Sequence, residues 1–138
     1  MPELISDEKR QQAVSAAIKI MDMAYAPYSR FQVGAAIIDE QGRLHQGVNV
    51  ENAAYPNGSC AETGAIAAMI AAGGEKIQFI AVAGRGTELC TPCGACRQRI
   101  REFALPHTVI AICDPSGSKA EFNLADILPH SFGPDNLG

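Results

Sequence analysis

The sequence feature that most constrains the fold is a short, almost uninterrupted apolar run at residues 77–83, Ile-Gln-Phe-Ile-Ala-Val-Ala. An apolar run without alternating polar side chains is typical of a strand that is covered on both faces. Residues 108–113 form a second run of this kind. Strands of this type lie inside a sheet that has helices packed against both sides, so the sequence predicts a layered α/β fold.

The rest of the chain supplies the helices and outer strands. Apolar residues at helical spacing begin after Ser6 or Asp7, either of which is a suitable N-cap, and an Ala-rich helix is predicted to end at Gly73. No linker or repeat interrupts the 138 residues, so we expect a single domain over residues 1–138. The predicted fold is a three-layer α/β/α sandwich around a mixed, about five-stranded sheet. Its predicted helices are at 7–25, 60–72 and 93–103, with a short helix near 125–128. Its predicted strands are at 31–39, 44–50, 77–83, 108–113 and 119–123.

The net charge and the hydropathy of the chain restrict the classes of partner that it can bind. The formal net charge is -4, and no basic stripe is present, so we expect no nucleic-acid substrate. The first residues are polar and acidic and lack the apolar region of a secretory signal. The longest apolar stretch, residues 65–72, is much shorter than the ~20 residues that a membrane helix needs. We therefore expect a soluble, cytoplasmic protein that does not contact a membrane.

Five cysteines in such a chain indicate metal binding or catalysis rather than disulfides. Cys93 and Cys96 form a C-x-x-C directly after Pro92 and at the start of a predicted helix, and Cys60 starts another helix. The N–H groups of a helix N-terminus stabilise thiolates, and two helix starts can converge at one edge of a sheet. Three protein ligands leave the fourth position of a zinc ion open, as in catalytic zinc sites.

Glu62 lies two residues after Cys60, within reach of a zinc-activated water without being needed as a ligand. The combination of Cys60-x-Glu62 with a later P-C-x-x-C corresponds to a known zinc-deaminase signature, with Cys in place of His.

Other interpretations remain open at this point. Cys93 and Cys96 could be a redox pair, Glu62 could be a solvated helix residue, and Cys90 could close a four-cysteine zinc site or an iron–sulfur cluster. These alternatives correspond to a non-enzymatic zinc module or an electron carrier. Cys113 falls in a predicted buried strand, where we expect it to act as a small hydrophobic residue.

Five motifs together resemble the cytidine deaminase family, and they run in the family's order from about Tyr25 to the C-terminus. They are YSRFQVGAA at 28–36, GVNVENAAYP at 47–56, CAE at 60–62, PCGACRQ at 92–98 and LPHSFGP at 128–134. The three-cysteine form is similar to the short, homotetrameric branch of that family. The resemblance implies hydrolytic deamination of free cytidine and 2′-deoxycytidine to uridine and 2′-deoxyuridine plus ammonia, as in pyrimidine salvage. A related aminopyrimidine compound remains an alternative substrate.

The resemblance also implies a role for individual residues. Cys60, Cys93 and Cys96 would bind one Zn²⁺ per subunit, and Glu62 would carry the protons. The implied substrate contacts are Asn49 and Glu51 on the ribose hydroxyls, Phe31 against the pyrimidine, the N–H of Ala61 on the base carbonyl, and Ala53, Tyr55 and Phe132 in the active site of a neighbouring subunit of a homotetramer. By residue type alone, Asn49 and Glu51 could be a polar strand end, and Phe31 and Phe132 could be packing aromatics.

One position departs from the family pattern. Many members read C-A-E-R, whereas this chain has Thr63 after Glu62. The absent arginine would have hydrogen-bonded the thiolates, and Thr63 offers only a hydroxyl. We therefore predict that Arg97, directly after Cys96, hydrogen-bonds the thiolates; the alternative is a surface residue paired with Glu102 or solvent.

Overall fold

The structure is a computed structural model that describes residues 5–138. Residues 1–4, which we assigned to the predicted single domain, lie outside the described residues. One mixed sheet has the strand order β2-β1-β3-β4-β5, in which β3 and β4 pair in parallel and the other neighbours pair antiparallel. The strands are β1 (Val33–Asp39), β2 (Leu44–Val48), β3 (Ile77–Gly84), β4 (Ala104–Asp114) and β5 (Gly117–Asn123).

The helices cover both faces of this sheet, which confirms the predicted three layers. They are α1 (Asp7–Ile20), α2 (Ala61–Ala71), α3 (Gly94–Phe103) and the short α4 (Leu124–Ile127). On β1, Ala36 and Ile38 pack against α1, whereas Ala35 and Ile37 pack in the core that contains α2 and Ile100 of α3. Both sets are fully buried. Consecutive strand residues point to opposite faces, so an apolar run without alternation is the expected pattern here.

Helix α1 begins as predicted, because the Ser6 side chain accepts a hydrogen bond from Lys9 N. It ends at Ile20 rather than at residue 25, and a 3₁₀ turn (Met21–Met23) follows it. Strand β1 begins two residues later than predicted, because the Asn49 side chain hydrogen-bonds the backbone groups there. Its Oδ1 accepts from Val33 N at 2.8 Å and its Nδ2 donates to Phe31 O at 2.9 Å.

Strand β4 is longer than predicted because it carries a bulge at its start. Its register jumps from Ile77↔Ala104 to Phe79↔Val109. The buried Thr108 side chain bridges the irregularity, since its hydroxyl donates to Ile77 O and accepts from Leu105 N.

The β1–β2 hairpin is held by a buried carboxylate, Asp39. It accepts hydrogen bonds from the backbone N–H groups of Gln41 and Arg43, from Arg43 Nε at 3.0 Å and from His45 Nε2 at 2.8 Å. Burial alone would raise the pKa of Asp39, but these hydrogen bonds hold it below its usual range. Arg43 also donates to Ala72 O at 2.8 Å, which ties the hairpin to the end of α2.

Strand β2 lies unusually close to α2. A Cβ atom added to Gly47 would lie 2.7 Å from the carbonyl carbon of Gly64 and closer still to Ala65 N and Ala61 O. Glycine at this position therefore lets the first turns of α2 lie directly on the strand. Within residues 5–138, no helix has the length and hydropathy that crossing a membrane requires.

Candidate metal centre and adjoining cleft

Three cysteine sulfurs meet where the N-termini of α2 and α3 converge. Cys60 is the N-cap of α2, Cys93 is the N-cap of α3, and Cys96 lies in the first turn of α3. Their three Sγ atoms lie within 4.8 Å of one another, and those of Cys60 and Cys93 are 3.8 Å apart. The two converging helix starts predicted from the sequence are therefore present, and their free N–H ends favour thiolates.

The spacing of the sulfurs fits a tetrahedral metal. A tetrahedral zinc site with metal–sulfur bonds of ~2.3 Å places its sulfurs ~3.8 Å apart. No other residue belongs to this group among the described residues, so the chain offers three ligands and one open position. The donor set of three sulfurs suits zinc, which prefers thiolate and imidazole ligands.

Cys90 is separate from the three-sulfur group. Its side chain lies against Gly84 and lines the cleft beside the group. Burial, followed by the negative charge of Glu62, raises the pKa of the Cys90 thiol to about 11. Because the Cys90 sulfur lies outside the group formed by Cys60, Cys93 and Cys96, the geometry does not support the closed four-cysteine site. Cys113 is buried in β4, as the sequence predicts, and packs in the core next to α1.

Glu62 presents a buried carboxyl group beside the sulfurs. The residue is only 4% exposed, and it lines the cleft. Burial raises its pKa above the usual value, whereas its own backbone N–H and the positive charge of Arg99 act in the opposite direction. A carboxyl group buried beside a metal site can both accept and deliver protons.

A cleft of about 640 Å³ opens from the sulfurs to the surface, a volume suited to a small organic molecule. The four residues that we predicted to contact substrate within the subunit line it: Phe31, Asn49, Glu51 and Ala61. Tyr55, which we predicted to enter a neighbouring subunit's site, also lines this chain's own cleft. Ala53 and Phe132 do not line it; both are exposed, Phe132 to 58%. Tyr55 is 77% exposed at the mouth of the cleft, where its ring meets the edge of Tyr28.

The segment at residues 28–33 is held by the two polar residues that we predicted to contact substrate. The Glu51 carboxylate accepts from the backbone N–H groups of Tyr28 and Ser29 and from the Ser29 hydroxyl, and the hydroxyl contact lowers the pKa of Glu51. The Ser29 hydroxyl also accepts from Phe31 N at 3.0 Å. Sequence reasoning missed Ser29, although serine in a loop commonly bonds to the backbone two residues on.

The structure does not place Arg97 on the thiolates, which corrects our prediction. Its Nε donates to Pro92 O at 2.8 Å, its Nη1 to Ile127 O at 2.9 Å, and its Nη2 to Thr91 Oγ1 at 3.4 Å. Arg97 therefore ties the loop before α3 to the end of α4. Adjacent helix residues point about 100° apart, so Arg97 cannot share the face of Cys96.

Arg99 contacts the sulfur instead. Its Nη1 donates to Cys96 Sγ at 3.6 Å, and the Thr63 hydroxyl lies 3.9 Å from the same sulfur. Residues three apart on a helix share a face, so the spacing of Cys96 and Arg99 was the sequence signal for this contact.

Comparison with known proteins agrees with this geometry. The sequence model described as "Cytidine and deoxycytidylate deaminase zinc-binding region" matches residues 7–112. A cytidine deaminase of Halalkalibacterium halodurans is 35% identical over 128 residues, which is 93% of this chain and 97% of that protein. A cytidine deaminase of Mycobacterium tuberculosis is 38% identical over 138 residues, with 99% and 96% covered. The crystal structure of cytidine deaminase from Burkholderia pseudomallei superposes with a TM-score of 0.83 at 35% identity, covering 93% of this chain and 100% of that one.

Proposed function

Because this chain belongs to the cytidine and deoxycytidylate deaminase family, we propose that it is a zinc-dependent hydrolase that deaminates free cytidine and 2′-deoxycytidine. The products are uridine or 2′-deoxyuridine and ammonia. One observation carries this proposal: the buried Glu62 carboxyl group lines the same nucleoside-sized cleft as Cys60 and Cys93, two of the three grouped thiols. The implied role in the cell is pyrimidine salvage.

Cys60, Cys93 and Cys96 would hold the zinc ion. When bound, zinc supplies Lewis acidity that allows a water molecule to lose a proton near neutral pH. The Glu62 carboxylate would accept that proton and deliver it to N3 of the pyrimidine, which makes C4 more electrophilic. The water oxygen would bond to C4, and the same carboxyl group would take the remaining proton of that oxygen and deliver it to the 4-amino nitrogen. The C4–N bond then breaks and ammonia leaves, while N3 keeps its proton. Burial of Glu62 supports this role, because it keeps bulk water away from a proton-carrying group.

The cleft offers recognition groups along its length. Phe31 would lie against the pyrimidine ring, and the N–H of Ala61, at the free N-terminus of α2, would donate to the base carbonyl. Asn49 and Glu51 would contact the ribose hydroxyls. Their existing bonds to the segment at residues 28–33 support this proposal, because they fix both polar groups on the rim of the cleft before substrate arrives.

We further propose a homotetramer with shared active sites. Tyr55 and Phe132 are 77% and 58% exposed, and aromatic side chains are enriched in protein interfaces. Ala53, in the same exposed loop as Tyr55, would reach the neighbouring subunit's cleft together with Phe132. The five free cysteines of the described chain are suited to a reducing compartment, which supports the cytoplasm as the location.

The decisive test combines a substrate assay with metal analysis on one sample. The purified protein should contain about one zinc per chain, and the ultraviolet absorbance of added cytidine should fall as uridine forms. Glu62→Gln should keep its zinc and lose activity by roughly 10²- to 10⁴-fold, the usual effect of removing a general acid–base group. Zinc-loaded protein that leaves cytidine and 2′-deoxycytidine unchanged would contradict the proposed substrate. Zinc-loaded Glu62→Gln with near-normal turnover would contradict the proposed proton carrier.

A further inference from the structure

The three-sulfur group carries an unbalanced negative charge. Three thiolates and one Zn²⁺ have a net charge of about −1 before any further ligand binds. Cys96 is fully buried, so water does not solvate its share of that charge. A buried charge without a partner is strongly destabilising, and hydrogen-bond donors near the sulfur reduce that cost.

We infer that Arg99 is the positioning residue that balances this charge: its guanidinium donates to the Cys96 thiolate and thereby holds zinc in the three-cysteine site. The contact is direct, with Arg99 Nη1 at 3.6 Å from Cys96 Sγ. Arg99 lies one helical turn after Cys96, so α3 supplies both the ligand and the group that neutralises it.

The other nearby donors do not replace it. Arg97 and Arg101 flank Arg99 on α3, but Arg97 donates to three oxygen atoms elsewhere, and Arg101 donates to Ser131 Oγ and contacts Asp135 at the tail. Thr63, on α2, approaches Cys96 from the second helix at 3.9 Å, but its hydroxyl is neutral. In the described part of the chain, Arg99 is the guanidinium that contacts this sulfur group.

The positive charge near Cys96 could be supplied from position 63 instead of position 99. Thr63 and Arg99 lie on different helices, and both reach the same sulfur. A positive charge supplied from either helix would have the same electrostatic effect on Cys96. An arginine at position 63 should therefore compensate for the loss of the one at position 99, which a purely structural role of Arg99 does not predict.

The test measures zinc release from the zinc-loaded protein to a colorimetric chelator, without substrate. Arg99→Met removes the charge and keeps the length of the side chain, and it should release zinc about 10- to 100-fold faster, the usual effect of removing a partner of a metal ligand. Arg99→Lys should lose less than Arg99→Met. The matched control is Arg10→Met, which makes the same charge change far from the sulfurs. Arg10 pairs with Glu121 and lies over the ring of Phe79, on the face of the sheet that α1 covers, so zinc release should stay within threefold.

The double variant Arg99→Met/Thr63→Arg should recover most of the lost zinc retention. After replacement of zinc by cobalt(II), the sulfur-to-cobalt absorption band should shift in Arg99→Met and return toward its original position in the double variant. Zinc release from Arg99→Met within threefold of the unmodified protein would overturn the inference, as would a double variant without recovery in either measurement. The inference rests on the proposed zinc centre, which has its own test. An unmodified protein that binds no zinc would contradict the zinc centre. A zinc-loaded protein whose zinc release does not change in Arg99→Met would contradict only the role of Arg99.

Discussion

One added methyl group at Gly47 should disturb the candidate active site through the backbone alone. Gly47 is on β2 and faces the first turns of α2, where Cys60 is the N-cap and Glu62 is the second helical residue. In Gly47→Ala the new Cβ would start 2.7 Å from the carbonyl carbon of Gly64. Carbon atoms in van der Waals contact are ~3.5 to 4.0 Å apart, and Ala65 N and Ala61 O lie closer still, so the strand and the helix must separate by at least roughly 1 Å.

This separation gives the expected magnitudes. A misplacement of ~1 Å at a catalytic group costs about 10²-fold in rate, and overpacking of a close contact costs about 1–3 kcal/mol in the free energy of unfolding. We therefore expect kcat/KM for cytidine to fall about 10²-fold in Gly47→Ala. The measurement is the decrease in cytidine absorbance at saturating zinc, together with urea unfolding of the same preparation.

Gly64→Ala is the matched control, because it adds the same atom to the other side of the same contact. Its Cβ would lie 3.4 Å from Gly47 Cα and 3.6 Å from Val48 N, which is ordinary contact. Alanine in place of glycine within a helix stabilises by about 0.5–1 kcal/mol, so this variant should keep its activity and unfold at higher urea. Full activity in Gly47→Ala, or equal damage in Gly64→Ala, would refute the reasoning.

Three further predictions use other contacts. Cys90→Ser should keep one equivalent of zinc and activity within about threefold, because three thiols already complete the ligand set; loss of zinc would return Cys90 to that set. Ser29→Ala should raise KM several-fold more than it lowers kcat, because it frees the Glu51 carboxylate and the backbone before Phe31; an unchanged KM would separate Ser29 from substrate binding. Asp39 has a lowered pKa, so its stabilisation is present above its unfolded-state pKa of about 3.9 and is lost as pH falls through the folded value. Asp39→Asn should therefore cost about 3–5 kcal/mol at neutral pH and flatten the acid side of the stability profile, and an unchanged urea midpoint would contradict this.

The sequence was sufficient for the layers of the fold, because burial on two faces leaves a direct trace in the residue pattern. The apolar run at 77–83 is the central strand β3, and the first residue of α1 was also predicted correctly. The predicted ends of the strands were less accurate where side chains, rather than other backbone groups, hydrogen-bond the backbone. The Asn49 side chain hydrogen-bonds the backbone before β1, and the Thr108 side chain hydrogen-bonds across the bulge at the start of β4. Such contacts between distant parts of the chain have no local signature.

The same distinction applies to the site. The placement of Cys60, Cys93 and Cys96 at two predicted helix starts indicated a shared metal site, and the family resemblance selected this set over the alternatives with Cys90; the structure brings these three sulfurs together. The contact of a long, flexible arginine with those sulfurs depends on the helix face from which it starts. Proximity in sequence favoured Arg97, whereas helical geometry favours Arg99, and the structure has the second arrangement.

A metal ion held by the sulfur group would also affect the unfolded chain. Cys60 and Cys93 are 33 positions apart, and the whole of β3 lies between them. A metal ion shared by these two residues closes that segment into a loop, which removes conformational entropy from the unfolded chain. The loop-closure relation used for disulfides puts this effect at about 3–4 kcal/mol for a loop of this length. Unfolding while the metal stays bound would therefore release a ring rather than a free segment, so removal of zinc by a chelator should lower the free energy of unfolding even where no folded-state contact changes.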